Sequence, residues 1–315
     1  MLTRREYLKL SALAGVALAI NPRLLLAQDT PQALVMRTIP GTSEQLPVVG
    51  LGSSASFARI AGEGELGRVR EVLEALVAHG GRVFDTAPSY GTAEEVAGGI
   101  VRESGLGERL FWATKLNVAG RGGDSADPDA ARAQLEASFA RVGKLPIDLV
   151  QVHNMADVST QLAILEEAKA AGRIRYVGAT TTSEATYDAL EALMKTDRLD
   201  FIGVDYAVDN RRMEERIFPL AQERGIGVLV YQPFGRTRLW QRVEGHALPE
   251  WAAEYDIATW GQFFLKFVVS HPAVTAATPA TSQPRNMIDN MGAAMGRLPD
   301  AAARKRMVAH MERLA

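Results

Sequence analysis

Short apolar runs recur along the chain at intervals of roughly 30 residues, a spacing typical of repeated strand–helix units. Each run is rich in Val, Ile, Leu and Phe and alternates little with polar residues, which indicates strands buried on both faces. The predicted strands are Val48–Gly52, Arg82–Thr86, Leu110–Lys115, Ile147–His153, Ile174–Ala179, Phe201–Tyr206, Gly227–Gln232 and Val274–Thr278.

Amphipathic segments separate the runs, with apolar residues at the spacing of one helix face. The predicted helices are Arg68–His79, Asp127–Val142, Thr160–Ala171, Glu184–Lys195, Met213–Arg224 and Asp300–Ala315. Gly172 and Gly225 follow two of them as stops, and Ser183 and Asp300 precede two others as N-caps. Eight strands in alternation with helices predict an α/β fold, a parallel (β/α)8 TIM barrel. We also predict a hairpin over Leu34–Pro47 that closes the barrel floor.

The first 27 residues have the pattern of an export signal. Arg4 and Arg5 precede an apolar run, Leu10 to Ile20, that is shorter than the roughly 20 residues of a membrane span. The paired arginines resemble the signal of the twin-arginine pathway. We therefore predict a signal peptide over residues 1–27, one barrel domain over residues 28–315, and periplasmic localisation through the twin-arginine export machinery, with no membrane span in the mature chain.

Composition removes several kinds of partner. The 315 residues have a net charge of −2 and no long basic or acidic block, which argues against nucleic acid and acidic membranes. Because the chain has no cysteine, disulfides, thiolate nucleophiles and cysteine-ligated metals are excluded. The five histidines show no metal-ligand spacing, so no metal site is predicted.

Polar side chains stand at the ends of three consecutive predicted strands. Asp85 and Tyr90 follow the second strand, Lys115 ends the third and His153 ends the fourth. In such a barrel the carboxyl ends of the strands share one face, where reactive groups gather. A buried acid or lysine is costly unless paired, and Asp85 with Lys115 supplies the pair. Each residue alone has a structural explanation, but together they predict an active site.

The same residues carry a resemblance to the aldo-keto reductase family over essentially the whole predicted mature chain. The matching words are Asp85-Thr86-Ala87, Tyr90-Gly91, Thr114-Lys115, Asp148 to His153, Gly50-Leu51-Gly52, Tyr176-Val177-Gly178, Val204-Asp205-Tyr206, Asn210-Arg211, Val230 to Pro233, Thr278-Pro279 and Asn290. Each word is short, but their order and placement on matching strands make the similarity specific.

The resemblance implies a role for each catalytic candidate. Tyr90 would be the general acid that protonates a carbonyl oxygen as hydride arrives at carbon. Lys115 beside it would lower the pKa of the phenol, while Asp85 would fix and neutralise the lysine. His153 would donate a hydrogen bond that orients the substrate oxygen.

The resemblance also implies a nicotinamide cofactor, NADP(H) or alternatively NAD(H), and a small carbonyl or alcohol substrate. The nicotinamide would stack on Tyr231, and the helix opening near Thr281 and Ser282 would bind the adenosine phosphate. Arg285 would supply charge for a 2′-phosphate, and Asn290 would contact adenine. The full set of predicted cofactor-binding residues is Gly52, Ser53, Thr180, Tyr231, Gln232, Pro233, Thr281, Ser282, Arg285 and Asn290.

Two positions depart from the family pattern. Ala179 and Thr180 stand where the family usually has Ser-Asn, and Gly203 stands where it usually has Gln, all groups that hold the nicotinamide carboxamide. Thr180 offers one hydrogen bond and Asp205 an acceptor, so the predicted grip on the amide is thinner than the family's.

Two other functions therefore stay open. A barrel enzyme without nicotinamide would use Tyr90 and His153 as acid and base of an isomerase, lyase or hydrolase. A non-enzymatic binding protein would have no need of the complete polar set. The substrate stays unnamed, because the loops Ser53–Glu65, Val118–Ala126 and Gly235–Pro249 show no diagnostic chemistry. Aromatic residues predicted near the site suggest a partly apolar wall; they are Phe57, Phe234, Trp240 and Trp251.

Overall fold

The computed structural model describes residues 33–120, 125–196 and 198–314. The predicted signal peptide and the middle of the loop 118–126 lie outside the described residues. From Leu34 onward the chain forms one compact unit.

Eight parallel strands build the barrel, and all of the predicted strands are present, several of them shorter than predicted. They are β3 (Leu51–Gly52), β4 (Val83–Asp85), β5 (Phe111–Leu116), β6 (Ile147–Val152), β7 (Ile174–Thr181), β8 (Phe201–Asp205), β9 (Gly227–Tyr231) and β10 (Ala276–Ala277). Each pairs with its sequence neighbour, in the order β10 to β3. Parallel bridges join β3 to β10, and the Gly50 amide donates to the Ala277 carbonyl at 2.9 Å. The predicted TIM barrel is confirmed.

The predicted hairpin is also confirmed. Strands β1 (Met36–Thr38) and β2 (Gln45–Pro47) pair antiparallel. Ile39 and Leu46 from this hairpin join one buried apolar cluster with Phe111, Phe201 and Leu229 of the barrel strands. The hairpin therefore packs its apolar residues against the barrel interior and seals that end.

Helices cover the outside of the barrel. They are α1 (Ser56–Gly62), α2 (Leu66–Ala78), α3 (Ala93–Ser104), α4 (Pro128–Val142), α5 (Val158–Ala170), α6 (Tyr187–Met194), α7 (Ile217–Arg224), α8 (Arg238–Arg242), α9 (Trp260–Val269), α10 (Pro284–Gly292) and α11 (Ala301–Arg313). Single 3-10 turns occupy Gly107–Arg109, His153–Met155, Glu184–Thr186, Arg212–Glu214 and Glu250–Tyr255.

Five of these helices lie outside the six segments predicted from the apolar pattern, among them α10, which the family resemblance placed near Thr281 and Ser282. Helices α1 and α8 fall inside predicted loops, and α3 and α9 are further additions. Helix α3 contains Gly98, a residue that weakens a helical pattern. Its glycine is required by packing, because a Cβ there would lie 2.0 Å from the Arg141 carbonyl of α4. Close contact between two helices thus explains a residue that the pattern alone disfavours.

The predicted helix ends at Asp300 and Gly225 are confirmed, and the predicted cap at Ser183 is wrong. The Asp300 carboxylate accepts from the Ala303 amide at 2.8 Å, and Gly225 ends α7 in the left-handed region. Ser183 is not a side-chain cap, since its hydroxyl makes no capping bond and the 3-10 turn Glu184–Thr186 precedes α6. The Ser183 amide instead donates to the Thr181 hydroxyl at 3.0 Å, which turns the chain at the end of β7.

Candidate active site

A buried ion pair lies at the carboxyl ends of β4 and β5. The Lys115 ammonium donates to Asp85 Oδ2 at 2.7 Å and to the Thr86 carbonyl at 2.8 Å. Both charged side chains are almost fully buried. Since an ammonium has three N–H donors, one remains after these two bonds.

Tyr90 and His153 complete the predicted set beside this pair. The Lys115 ammonium lies 5.3 Å from the centroid of the Tyr90 ring. The Tyr90 and His153 rings meet edge to face, with centroids 5.9 Å apart. The structure therefore brings all four predicted catalytic residues, including Asp85, into one cluster at the end of the barrel that faces away from the hairpin.

Burial and charge set the protonation of this cluster. Burial raises the pKa of Tyr90 above its usual value, the charge of Lys115 lowers it only in part, and the charge of Asp85 adds to the rise. The expectation that Lys115 brings this pKa below its usual value is wrong for the net effect, because burial of the phenol outweighs the ammonium. Burial likewise raises the pKa of Asp85 against the charge of Lys115. Tyr90 is therefore a protonated phenol at neutral pH, a proton donor.

Lys115 stays charged despite its burial. Burial alone would lower the pKa of Lys115, but the charge of Asp85 and its hydrogen bond raise it overall. The ammonium is therefore a positive charge that lies 5.3 Å from the centroid of the Tyr90 ring.

Tyr231, predicted as the platform for nicotinamide, contacts the catalytic cluster through its hydroxyl. That hydroxyl donates to Asp85 Oδ1 at 3.1 Å and accepts from Gln151 Nε2 at 2.9 Å. The Lys115 ammonium lies 5.1 Å from the centroid of the Tyr231 ring. Gln151 is fully buried and was absent from the predicted site. Its position two residues before His153, on the same face of β6, is the signal that points to it.

Gly203, one of the two departures from the family pattern, lies against this tyrosine. A Cβ at Gly203 would be 2.4 Å from Cε2 and 2.7 Å from the hydroxyl of Tyr231. The space that a longer side chain would need is occupied by the tyrosine ring.

The segment that carries His153 is held from both sides. Asn117 Nδ2 donates to the His153 carbonyl at 3.2 Å, and the Asn154 amide donates to the Thr180 hydroxyl at 3.2 Å. Asn154 and Met155 have positive φ angles of 62° and 56°, a conformation that needs such support in non-glycine residues. Thr180, a predicted cofactor residue, therefore also braces the histidine segment.

Asp205, considered as an acceptor for the nicotinamide amide, already accepts hydrogen bonds at both oxygens. The Tyr187 hydroxyl donates to Oδ1 at 2.8 Å, and Asn210 Nδ2 donates to Oδ2 at 2.7 Å. Because both oxygens already have a donor, Asp205 is a weaker candidate acceptor for the nicotinamide amide than the sequence suggested.

The seam between β3 and β10 offers a place for a polar ligand. Gly52 cannot carry a side chain, since a Cβ would lie 2.5 Å from the Thr278 carbonyl. Within the described ranges, the buried hydroxyls of Ser53 and Thr278 have no hydrogen-bond partner. Buried polar atoms usually have partners, so two unpaired hydroxyls at neighbouring strand ends fit a bound group with polar atoms such as a nicotinamide dinucleotide.

The remaining predicted cofactor residues lie after β9 and around α10. Gln232 follows β9 with a positive φ of 53°, and Pro233 is buried behind it. Helix α10 begins at Pro284 and not at Thr281, whose hydroxyl accepts from the Gln283 amide at 3.1 Å. Ser282 and Asn290 are buried, and Arg285 is exposed. The helix therefore offers one basic side chain, Arg285, and fewer N–H groups than predicted.

The predicted aromatic wall is only partly present. Phe57 is fully buried against Phe84 in the core, so it is no part of an accessible wall. Trp240 is 42% exposed, and its ring centroid lies 5.2 Å from that of Phe234. Trp251 packs against Phe263 near α11.

Residues 33–120, 125–196 and 198–314 contain neither a metal-ligand cluster nor a helix suited to a membrane. No group of three or more potential metal-ligating side chains occurs there. No helix in the same ranges has the length and apolar character needed to cross a membrane.

Comparison with known proteins gives one consistent answer. The Aldo/keto reductase family profile matches residues 49–305. The chain is 30% identical to the NADH-specific methylglyoxal reductase of Escherichia coli (strain K12) over 224 residues, 63% of this chain and 67% of the relative. It is 26% identical to an aldo-keto reductase of Strobilurus tenacellus over 82% of this chain and 88% of that one.

Solved structures show the same fold. An aldo-keto reductase from Klebsiella pneumoniae in complex with NADPH superposes with a TM-score of 0.71 at 23% identity, over 90% of this chain and 95% of that one. The holo form of an aldo-keto reductase from Bacillus halodurans gives a TM-score of 0.70 at 22% identity, over 90% of this chain and 97% of that one.

Proposed function

The chain belongs to the aldo/keto reductase family, and from this premise we propose that it reduces a small carbonyl compound, or oxidises the matching alcohol, with a nicotinamide cofactor. One observation carries the proposal: the buried Asp85–Lys115 pair lies directly beside Tyr90 and His153. A phenol that is held protonated next to an ammonium is suited to donate a proton to an oxygen that gains negative charge.

Each residue of the cluster has one task in this reaction. Tyr90 donates its phenolic proton to the carbonyl oxygen. The charge of Lys115 stabilises the phenolate that remains, while Asp85 holds the ammonium in place. His153 orients the substrate oxygen by a hydrogen bond.

The cofactor supplies the hydride when it is bound. Ser53 and Thr180 at the strand ends, Tyr231 as a stacking surface, and Ser282 with Asn290 beside α10 are the groups proposed to hold it. NADP(H) is the proposed form because Arg285 is exposed at the opening of α10, where a guanidinium can pair with a 2′-phosphate. NAD(H) is the competing form, since the Escherichia coli relative is NADH-specific by name.

Fluorescence titration of the purified protein with NADPH and with NADH tests the cofactor proposal. We expect saturable binding with NADPH tighter than NADH, and oxidation of the bound nucleotide on addition of a small aldehyde or ketone, with methylglyoxal as the first substrate. Arg285→Ala should weaken the binding of NADPH and leave the affinity for NADH unchanged. Binding of neither nucleotide would favour the alternative of acid–base chemistry without nicotinamide, to which Gly203 and Ala179 point.

Export remains part of the proposal. A protein carried out folded would take its nucleotide with it, and we propose that the cofactor is then held tightly and is reduced and reoxidised in place by successive substrates. In cells that express the full chain, we expect the protein to accumulate in the periplasmic fraction. Arg4→Lys and Arg5→Lys together should abolish this accumulation. Nucleotide released on denaturation of the periplasmic protein is expected, and its absence would contradict retention.

A further inference from the structure

Tyr231 occupies a place that its proposed stacking role does not require. A stacking surface needs only the ring, yet the hydroxyl reaches Asp85 Oδ1 at 3.1 Å and is itself held by Gln151 Nε2 at 2.9 Å. With Lys115 on Oδ2 at 2.7 Å, both oxygens of a buried carboxylate have a donor.

We propose that the Tyr231 hydroxyl, held by Gln151 and admitted by Gly203, is a positioning group that orients Asp85 and through it the Lys115–Tyr90 proton donor. This inference rests on the proposed function for its catalytic meaning. The contact itself is a statement about the protein alone and is testable without turnover.

The direction of the Lys115 donors depends on Asp85. Two of the three Lys115 donors are directed by Asp85 and the Thr86 carbonyl. Because the ammonium is tetrahedral, these two bonds fix the direction of its third donor, and the ammonium lies 5.3 Å from the centroid of the Tyr90 ring. If the Asp85 carboxylate were free to rotate, its bond to Lys115 would loosen. The direction of the third ammonium donor would then no longer be fixed.

Two glycines leave the space in which the tyrosine adopts this position. A Cβ at Gly203 would lie 2.4 Å from the ring of Tyr231, a distance that forces the ring to move. On β6, the Gln151 side chain lies beside another glycine, Gly178, where a Cβ would be 3.0 Å from Gln151 Cγ. Two glycines on adjacent strands therefore make room for the tyrosine and glutamine that reach Asp85.

The contact with Tyr231 also affects the protonation of Asp85. The charged and titratable groups that act on Asp85 are Lys115 from β5, Tyr231 from β9 and Tyr90 from the loop after β4. Burial raises the pKa of Asp85, and the hydrogen bond from Tyr231 opposes that rise. Removal of the hydroxyl should therefore let Asp85 take up its proton at a higher pH.

Tyr231→Phe is the matched test, because it keeps the ring and removes only the hydroxyl. In protein with isotope-labelled aspartate carboxyls, with the Asp85 signal assigned by Asp85→Asn, the Asp85 titration midpoint should rise by about one pH unit. Gln151→Met should raise it by less, and Gly203→Ala should raise it as Tyr231→Phe does. Tyr176→Phe is the control, since that hydroxyl contacts Glu44 at the barrel floor at 3.2 Å.

Kinetics add a second readout in the active protein. The acidic limb of the kcat profile should move upward in Tyr231→Phe by the same shift, with nucleotide affinity within about twofold because the ring remains. An Asp85 midpoint equal to that of the wild type overturns the inference, whether or not the wild type reduces carbonyls. A shifted midpoint in a protein without nicotinamide-dependent turnover supports the positioning contact and overturns the proposed function instead.

Discussion

Each end of the barrel buries an aspartate beside a lysine, and the two pairs differ in what they leave over. At the floor, Asp148 accepts from the Trp112 amide at 2.8 Å, from Lys144 at 2.6 Å and from Arg175 at 2.7 Å. None of these groups faces a reacting atom, and the network joins β5, β6 and β7. At the other end, Lys115 keeps one donor after its bonds to Asp85 and the Thr86 carbonyl, and its ammonium lies 5.3 Å from the centroid of the Tyr90 ring.

A buried aspartate in an ion pair does not by itself indicate catalysis. Both aspartates are at least 97% buried, with relative exposures of 3% for Asp85 and 2% for Asp148. The Asp85–Lys115 pair differs because it lies beside Tyr90, whose proton the proposed reaction uses. At the floor, the donors to Asp148 only join neighbouring parts of the fold to one another.

The largest effect is expected from loss of the ammonium that contacts Tyr90. Lys115→Met should lower kcat by about a thousandfold, the loss expected when a general acid is no longer stabilised in its ionised form. Lys144→Met, the same substitution at the floor, should leave kcat within about twofold. Steady-state carbonyl reduction by both variants, with melting temperatures to show that each is folded, measures the contrast. Equal losses of kcat in the two variants would contradict the proposed difference between the two ends of the barrel.

The floor pair should respond in stability instead. Asp148→Asn removes the carboxylate that pairs with Lys144 and with Arg175, which keeps Glu44 as a second partner. It should lower the free energy of unfolding by about 3 kcal/mol, at the low end for a broken buried pair because both cations are partly exposed. Urea unfolding of variant and wild type measures the change, and kcat of the folded variant should be that of the wild type. A stability change below about 0.5 kcal/mol would show that the network contributes little.

Lys266 in α9 is, after Lys115, a second buried lysine and sharpens the comparison, because its donors meet carbonyls and no carboxylate. Its ammonium donates to the Tyr255 carbonyl at 2.6 Å and the Met295 carbonyl at 2.7 Å. Burial lowers the pKa of Lys266 from 10.5 to about 8, against the opposing charge of Asp256. Between these values the unfolded chain binds more protons than the folded one, so stability rises with pH.

This sign gives a measurable slope. From pH 7.5 to 9.5 the wild type should gain about 2 kcal/mol in the free energy of unfolding relative to Lys266→Met, in which the group is absent. Urea unfolding at several pH values gives the difference of slopes, in which other titrating groups cancel. Parallel curves for the two proteins would contradict the lowered pKa.

The smallest effect separates two roles of Thr180. Thr180→Val removes the hydroxyl that accepts from the Asn154 amide, and we expect a loss of about fivefold in kcat as the His153 segment loosens, the equivalent of one ordinary hydrogen bond. Nucleotide affinity should change less than kcat. A larger change in affinity than in kcat would mean that Thr180 acts mainly on the nicotinamide amide.

Much of the fold follows from pattern alone. Strands buried on both faces produce uninterrupted apolar runs, and all eight barrel strands lie where such runs occur. Helices were harder where tertiary packing overrides local preference, as in α3, where Gly98 permits contact with Arg141. Ser183 has the right residue type for a cap, but the turn at the end of β7 uses its amide differently.

The catalytic cluster was predictable because strand ends of a barrel converge and four reactive residue types coincide there. The contacts of Tyr231 were not predictable, since they depend on the absence of side chains at Gly203 and Gly178 on neighbouring strands. The net effect on the pKa of Tyr90 also escaped prediction, because the depth of burial is a property of the whole fold. Gly203 was visible only as a missing glutamine, and the structure shows what fills its space.

Substitution of Tyr90 by phenylalanine tests the central claim most directly, because it removes the proton and keeps the ring beside Lys115 and His153. Nucleotide binding and carbonyl reduction are measured on the same preparation. We predict that Tyr90→Phe binds the nucleotide within about twofold of the wild type and loses turnover by at least about a hundredfold. Turnover at the wild-type rate would contradict the assignment of Tyr90 as the proton donor, and loss of nucleotide binding would place Tyr90 in the cofactor site instead.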